Sequence, residues 1–245
     1  LNTGKVLTIG GLANASNSGP VFKYLSSCEL YDTASGTWSY TDSLPYQVWY
    51  ATATLLNNGK ILLAGGQNSN GTLKNCQIYD PSTGKWSATG SLNHARCFFT
   101  ATLLPNGKVL IAGGEDGYSV ATCEIYDPTT ETWSNTGALN TASQGHSSYL
   151  LSNGDVILTG GINWNGQHNY LNRTEIYKVA TGQWSVGDNM EAKRLRHSST
   201  LLANGDVLII GGKSNETTFN ITSEVYKVNC GNCLTPSAPT LSATY

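Results

Sequence analysis

The sequence predicts an all-β fold built from repeated antiparallel sheets, and three observations carry that prediction. A tyrosine, at Tyr31, Tyr79, Tyr126 and Tyr177, stands seven residues before a tryptophan, at Trp38, Trp86, Trp133 and Trp184. The same tyrosines stand thirty-four residues before glycine pairs that begin at Gly65, Gly113, Gly160 and Gly211. A fifth pair opens the chain at Gly10, and a fifth tyrosine, Tyr226, follows the last pair. Spacing held constant through successive copies means one structural unit, stacked. No segment carries a 3.6-residue apolar period, so strands rather than helices are expected.

One unit, residues 98–139, justifies each element in turn. Phe-Phe-Thr-Ala-Thr-Leu-Leu (98–104) has the aromatic and β-branched content of a strand. Asn106-Gly107 suits the positive φ angles of a tight hairpin turn, and an Asn-Gly or Thr-Gly pair recurs at 3–4, 58–59, 153–154 and 204–205. Lys-Val-Leu-Ile-Ala (108–112) is a near-continuous apolar run, as in a strand covered on both faces. Gly113-Gly114 ends it. Cys-Glu-Ile-Tyr (123–126) alternates as a third strand, Asp127-Pro128-Thr-Thr-Glu turns, and Thr132-Trp133-Ser134 starts a fourth.

Four short strands per unit of about fifty residues describe a propeller blade. With its Gly-Gly doublet, tyrosine and tryptophan in each copy, the chain resembles the kelch-repeat β-propeller family from residue 1 to about 228. The resemblance implies a propeller domain over 1–233, with units near 1–48, 49–97, 98–144, 145–195 and 196–233. It also implies that five visible blades are part of a six- or seven-bladed ring. Leu1 aligns with Leu56, the end of a first strand, so the first unit lacks that strand. Cys233 stands where a fifth tryptophan belongs, so four first, five second, five third and four fourth strands are expected. The inner edge of the Val6–Ile9 strand then needs a partner: upstream residues, the 240–245 segment or a neighbouring chain. Residues 234–245 read as a linker or the start of a further extracellular domain.

Composition narrows the function classes. Charged residues are 12% of the chain and the net charge is −2. Lys193, Arg194 and Arg196 are the only basic cluster, which is far from the stripe that nucleic-acid phosphates require. No apolar run in this segment approaches a membrane-spanning length. Abundant Asn, Ser and Thr with six cysteines suggest a secreted, extracellular protein. Five glycosylation sequons, at Asn14, Asn70, Asn172, Asn215 and Asn220, all fall between a glycine pair and its tyrosine.

Disulfides are expected among Cys28, Cys76, Cys97, Cys123, Cys230 and Cys233. The first, second and fourth of these hold one repeat position and are too far apart to pair with each other. Cys97 precedes a first strand, so Cys76 or Cys123 is its expected partner. Cys28 is left with the tail, unless Cys230 and Cys233 close on each other.

Catalytic patterns are absent from the sequence: no nucleophile elbow, no zinc-binding His-Glu-x-x-His and no phosphate loop followed by a helix. His146 and His197 share a repeat position with Phe99 and Ala51, which favours packed rings over ligands. Copper radical oxidases of the galactose oxidase type also carry kelch-like blades. Their centre of two histidines, two tyrosines and a tyrosine-bonded cysteine finds only His94 and Cys97 here, wrongly spaced from Gly113. Glu115, Asp116 and Glu191 read as solvated loop charges, with calcium binding by Glu115 and Asp116 as the alternative. No cofactor is expected.

The stretch from the glycine pair to its tyrosine varies between 12 and 20 residues, so all length variation falls in one loop type. The face formed by these loops and the inter-blade connections is the expected binding face. Kelch propellers commonly hold peptides there through arginine, serine and aromatic side chains. The matching residues are Trp49, Arg96, Gln144, Arg194 and Arg196 in the connections and Tyr118, Trp164 and His168 in the loops. The alternative for Arg96 and Arg194 is that they bond carbonyls within the blades. The expected function is a non-catalytic binding or scaffold module for a protein or glycan. The rivals are a structural subunit of a fibre or matrix, self-assembling through blade edges or tail, and a copper oxidase.

Overall fold

In the computed structural model, residues 1–14 and 22–228 are described, and all their regular elements are strands. Five sheets follow along the chain, each a meander in which a strand pairs antiparallel with its predecessor. The first holds Val6–Asn14, Phe22–Asp32 and Thr37–Tyr40. The second holds Thr52–Leu55, Ile61–Ala64, Cys76–Asp80 and Lys85–Ala88. The third holds Thr100–Leu103, Val109–Ala112, Cys123–Asp127 and Thr132–Thr136, and the fourth Ser147–Leu150, Val156–Thr159, Thr174–Lys178 and Gln183–Val186. The fifth holds Ser198–Leu201, Val207–Ile210 and Ser223–Tyr226. The strand census expected from the repeat is therefore met in the described residues.

The chain forms two compact units. One comprises Leu1–Cys97, Gly107–Val109 and Tyr126–Ser134; the other comprises Phe98–Asn106, Leu110–Ile125 and the residues from Asn135 on. In the first unit the core gathers Cys28, Leu44, Val48 and Leu63. In the second it gathers Leu110, Val156, Leu158, Tyr177 and Trp184, with a further cluster of Ile157, Met190, Val207 and Ile209.

The seven-residue Tyr–Trp spacing is a cross-strand pairing. Tyr79 faces Trp86 and Tyr177 faces Trp184 across adjacent strands, with ring centroids 5.0 and 5.2 Å apart. Each tyrosine hydroxyl then shares a hydrogen bond with a threonine of the preceding sheet: Tyr79 with Thr41 (2.7 Å), Tyr126 with Thr89 and Tyr177 with Thr136 (both 2.6 Å). Trp86 and Trp133 donate Nε1 to the Asp42 and Gly90 carbonyls of the same connections. The aromatic pair is thus the joint between successive blades. Among the described residues no sheet precedes that of Trp38, which is 52% exposed, against 9% for Trp133.

The Val6–Asn14 strand is the end of its sheet, Val6 is 49% exposed, and no strand among the described residues pairs with its outer side. The expected partner segment 240–245 and the linker lie outside the described residues, as do Cys230 and Cys233. Three of the length-variable loops carry regular structure of their own. They fold into small hairpins, Gln67–Asn68 with Gly71–Thr72, Glu115–Asp116 with Tyr118–Ser119, and Ile162–Trp164 with His168–Tyr170. Glu115 and Asp116 are hairpin residues rather than a loop pair.

The expected disulfides of Cys97 with Cys76 or Cys123 are not formed. Cys28, Cys76, Cys97 and Cys123 are buried free thiols. Cys28, Cys76 and Cys123 each face the carbonyl two residues earlier, of Ser26, Lys74 and Ala121, and Cys97 faces Gln67 Oε1. These cysteines act as small core side chains. Iodoacetamide should leave all four unlabelled in the native protein and label all four after denaturation, read by peptide mass spectrometry. Native labelling at any of them would contradict the packing.

Candidate functional site

Within each unit, connections between sheets are tied to the variable loops beside them. Paired backbone bonds join Trp49 to Gln67, Gln144 to Ile162 and Leu195 to Lys213. They run 2.8 and 2.7, 3.0 and 2.9, and 2.8 and 2.8 Å. Immediately after each bridge residue the backbone turns left-handed, at Tyr50 (φ 53°), Gly145 (φ 61°) and Arg196 (φ 53°), and likewise at Phe98 (φ 54°). Non-glycine residues seldom adopt this conformation, and its recurrence at one repeat position marks a built feature. In the second unit these residues are hydrogen-bonded in series. Gly145 N donates to Phe98 O and Arg196 N to Gly145 O, both at 2.9 Å.

Beside this series lies a cavity of about 560 Å³, within the size range of small-molecule sites. Phe98, Gly145 and Arg196 line it from the connections, Trp164, His168 and Tyr170 from the fourth-sheet hairpin, and Lys213, Glu216 and Phe219 from the fifth-sheet loop. The Arg196 guanidinium lies 5.0 Å over the Phe98 ring, reaching across Gly145. The His168 and Trp164 rings pack at a tilt of 35°, with centroids 4.3 Å apart. Glu216 ties hairpin to loop: its carboxylate meets His168 Nδ1, accepts a bond from Tyr170 Oη at 3.4 Å, and lies 3.6 Å from Lys213 Nζ.

Of the residues expected here, Gln144, Trp164, His168 and Arg196 line the cavity. Trp49 belongs to the first unit, where it stacks on Tyr50 at 3.7 Å in a smaller groove of about 210 Å³. Tyr118 is 61% exposed on its own hairpin and is not part of the lining. Arg96 and Arg194 are both fully buried, which corrects the expectation of ligand contact. Arg194 donates to the Gly211 and Thr222 carbonyls and to Glu224, so for this residue the in-blade role holds. Sequence reasoning missed Phe98, Gly145, Lys213, Glu216 and Phe219. Aligning the left-handed position across units would have found the first two, since that position carries Tyr50, Phe98, Gly145 and Arg196 in turn.

His94 is exposed, while His146 Nε2 pairs with Thr100 Oγ1 at 3.1 Å and His197 Nε2 with Thr159 Oγ1 at 2.8 Å. Among the described residues no three His, Cys, Asp or Glu side chains gather as metal ligands. Neither the copper centre nor a calcium site at Glu115 and Asp116 finds its ligand set there. Burial, reinforced by His197, pushes the His146 pKa down to about 3, and burial with nearby Arg194 pushes His197 down to about 4. The unfolded chain takes up these protons near pH 6.5. The folded state's advantage is therefore complete above that value and is lost as pH falls toward the folded pKa values. Each ring contributes a slope of up to about 1.4 kcal/mol per pH unit in that window. His146→Phe, the residue present at the equivalent position 99, should remove one ring's share of the slope in urea unfolding followed from pH 7 to 4. An unchanged slope would refute this.

The sequon asparagines separate into two groups. Asn14, Asn70 and Asn215 are exposed. Asn172 and Asn220 are half-buried and donate Nδ2, the atom that would carry a glycan, to the Met190 and Lys193 carbonyls.

Residues 50–93, 96–140 and 146–191 match the Kelch motif. No curated protein matches the sequence. Among solved structures, that of YjhT superposes with a TM-score of 0.75 over 91% of this chain and 78% of its own, at 18% identity. At that identity the likeness shows the fold.

Proposed function

This chain belongs to the kelch-repeat β-propeller family, and on that premise we propose that it is an extracellular, non-catalytic binding module whose protein or glycan ligand sits in the cavity of the second unit. The observation that carries the reading is the cavity itself. Four side chains expected on the binding face converge there with aromatic rings and a small set of polar groups, the composition typical of ligand sites. Low charge and three exposed sequon asparagines support the extracellular setting; the free thiols lend it nothing.

Purified protein should be screened on glycan and extracellular-protein arrays beside a Trp164→Ala/Arg196→Ala double variant. At least one ligand is expected whose binding falls tenfold or more in the variant. Ligands bound equally by both proteins would overturn the assignment of the site.

One observation favours a second reading, a self-assembling structural subunit. All four residues of the Thr37–Tyr40 strand are exposed, with Tyr40 at 80%. Sedimentation velocity across a hundredfold concentration range would show association if that reading holds and a constant coefficient if it fails.

A further inference from the structure

We infer that Asn165 modifies itself: its side-chain amide is lost to attack by the Gly166 nitrogen, which turns the tip of the cavity hairpin from neutral to anionic as the protein ages. Asparagine followed by glycine suits this reaction, because glycine places no Cβ beside its own nitrogen. The sequence holds six such pairs, at Asn58, Asn70, Asn106, Asn153, Asn165 and Asn204.

In the repeated turns between first and second strands both reacting groups are engaged. Gly59 N, Gly154 N and Gly205 N donate to the Leu56, Leu151 and Leu202 carbonyls, each at 2.9 Å. Asn58, Asn153 and Asn204 accept at Oδ1 the N–H two residues on, at 3.0, 3.0 and 3.1 Å. Asn153 and Asn204 also donate Nδ2 to Asp155 and Asp206. Cyclisation in these turns must first break two or three hydrogen bonds. Asn106-Gly107 occupies the same turn of the third sheet. Gly71, which follows Asn70, belongs to a strand and pairs with Asn68.

Asn165 and Gly166 differ on each count. They stand between the strands Ile162–Trp164 and His168–Tyr170, and both are exposed. Among the described residues neither the Asn165 amide nor the Gly166 N–H has a hydrogen-bond partner. The surroundings of Gly166 are open, since an added Cβ would meet nothing within 4 Å. No bond has to break before the nitrogen swings to the neighbouring carbonyl carbon, and the reaction is intramolecular. Gly166 N bonds to Asn165 Cγ, the Cγ–Nδ2 bond breaks, and ammonia leaves with the proton of the glycine nitrogen. Water then opens the five-membered imide at either carbonyl, giving aspartate or isoaspartate.

Either product lowers the net charge of −2 by one. The new carboxylate stands on a loop flanked by Trp164 and His168, which pair across it and line the cavity. Isoaspartate also inserts one carbon into the backbone between them. The consequence for ligand binding rests on the binding reading above; the reaction itself does not.

The test is peptide mass spectrometry of the purified protein after incubation at pH 8 and 37 °C, native and in guanidinium chloride, with acidic forms followed by anion exchange. In the native protein Asn165 should convert at least tenfold faster than Asn58, Asn153 and Asn204, to a mixture that contains isoaspartate. In guanidinium chloride the four should converge, because the turns that protect the other three are gone. Native conversion of Asn165 no faster than that of the turn asparagines overturns the inference. Aspartate without isoaspartate does so as well, since it means direct hydrolysis rather than cyclisation. The same tenfold preference in denaturant also overturns it, by placing the cause in local sequence instead of the fold. None of these outcomes touches the binding reading, which the Trp164→Ala/Arg196→Ala screen decides separately.

Discussion

Arg194→Met should destabilise the protein by about 3–5 kcal/mol, the usual consequence of breaking a buried ion pair from one side. Arg194 is fully buried, and its Nε and Nη2 donate to Glu224 Oε1 at 3.0 and 2.8 Å. Its Nη1 donates to the Gly211 and Thr222 carbonyls at 2.5 and 3.0 Å. Removing the guanidinium takes a donor from the Gly211 and Thr222 carbonyls, the second of which keeps the Gly211 N–H, and leaves a carboxylate, 5% exposed at its side chain, with only the Glu191 and Ala192 amides as hydrogen-bond partners. The equivalent pair one sheet earlier shows what such a carboxylate needs. There Ser143 replaces the arginine, and Glu175 accepts the Asn140 and Thr141 amides plus a third bond from Asn140 Nδ2 at 2.9 Å, with Arg173 Nε 3.7 Å away. Glu191 stands where Asn140 does and cannot donate that third bond. Adding Glu224→Gln to Arg194→Met should therefore recover a large part of the loss, because the uncompensated charge disappears while the shape is kept. Urea unfolding of the single and double variants measures both effects. A loss below about 1 kcal/mol for Arg194→Met would mean that the pair is not a clamp. Trp164→Ala, at the cavity, should change the midpoint little by comparison.

The repeat made most of the fold legible because its signals are geometric. Tyrosine and tryptophan seven apart become opposite neighbours across the turn that joins third and fourth strands, as Tyr79 and Trp86 do. The hairpins Glu115–Ser119 and Ile162–Tyr170 were not legible, because short polar strands held by backbone pairing carry no apolar period. The site was half legible. Arg194 and Arg196 are the same residue type two positions apart, yet one is buried against Glu224 and the other reaches over Phe98. The left-handed turn at Arg196 separates their fates, and a sequence pattern of arginines does not reveal it. A signal was present all the same: Glu29, Glu124, Glu175 and Glu224 recur two residues before the blade tyrosine. A repeated buried acid implies a repeated donor, and Arg194 is that donor in the last sheet. The cysteines misled for a related reason. Even counts and plausible neighbours suggested bonds, but Cys28, Cys76 and Cys123 turn toward carbonyls of their own strands' entry segments instead.

The second large effect belongs to the glycine pairs, and Gly160→Ala should lower stability by about 2–5 kcal/mol. Two costs combine. At φ +61° an added Cβ sits in the left-handed region, which costs about 1–2 kcal/mol for a residue with a side chain. The Cβ would also lie 2.4 Å from the Arg194 carbonyl oxygen and 2.9 Å from His197 Cε1, overpacking that costs about 1–3 kcal/mol. The carbonyl is not free to retreat, since it accepts the Gly161 N–H at 2.7 Å and belongs to the residue whose guanidinium holds Glu224. Gly117 isolates the first cost from the second: its φ is +77°, but an added Cβ meets nothing within 4 Å. Gly117→Ala should therefore cost only about 1–2 kcal/mol. The difference between the two variants, measured by urea unfolding at pH 7, reads the close approach alone. Equal losses would show that the doublet is kept for backbone conformation only. A larger loss at Gly160 would show that it lets the inter-sheet connection lie directly against the end of the Val156–Thr159 strand, with Gln144 and Arg196 aligned beside the cavity.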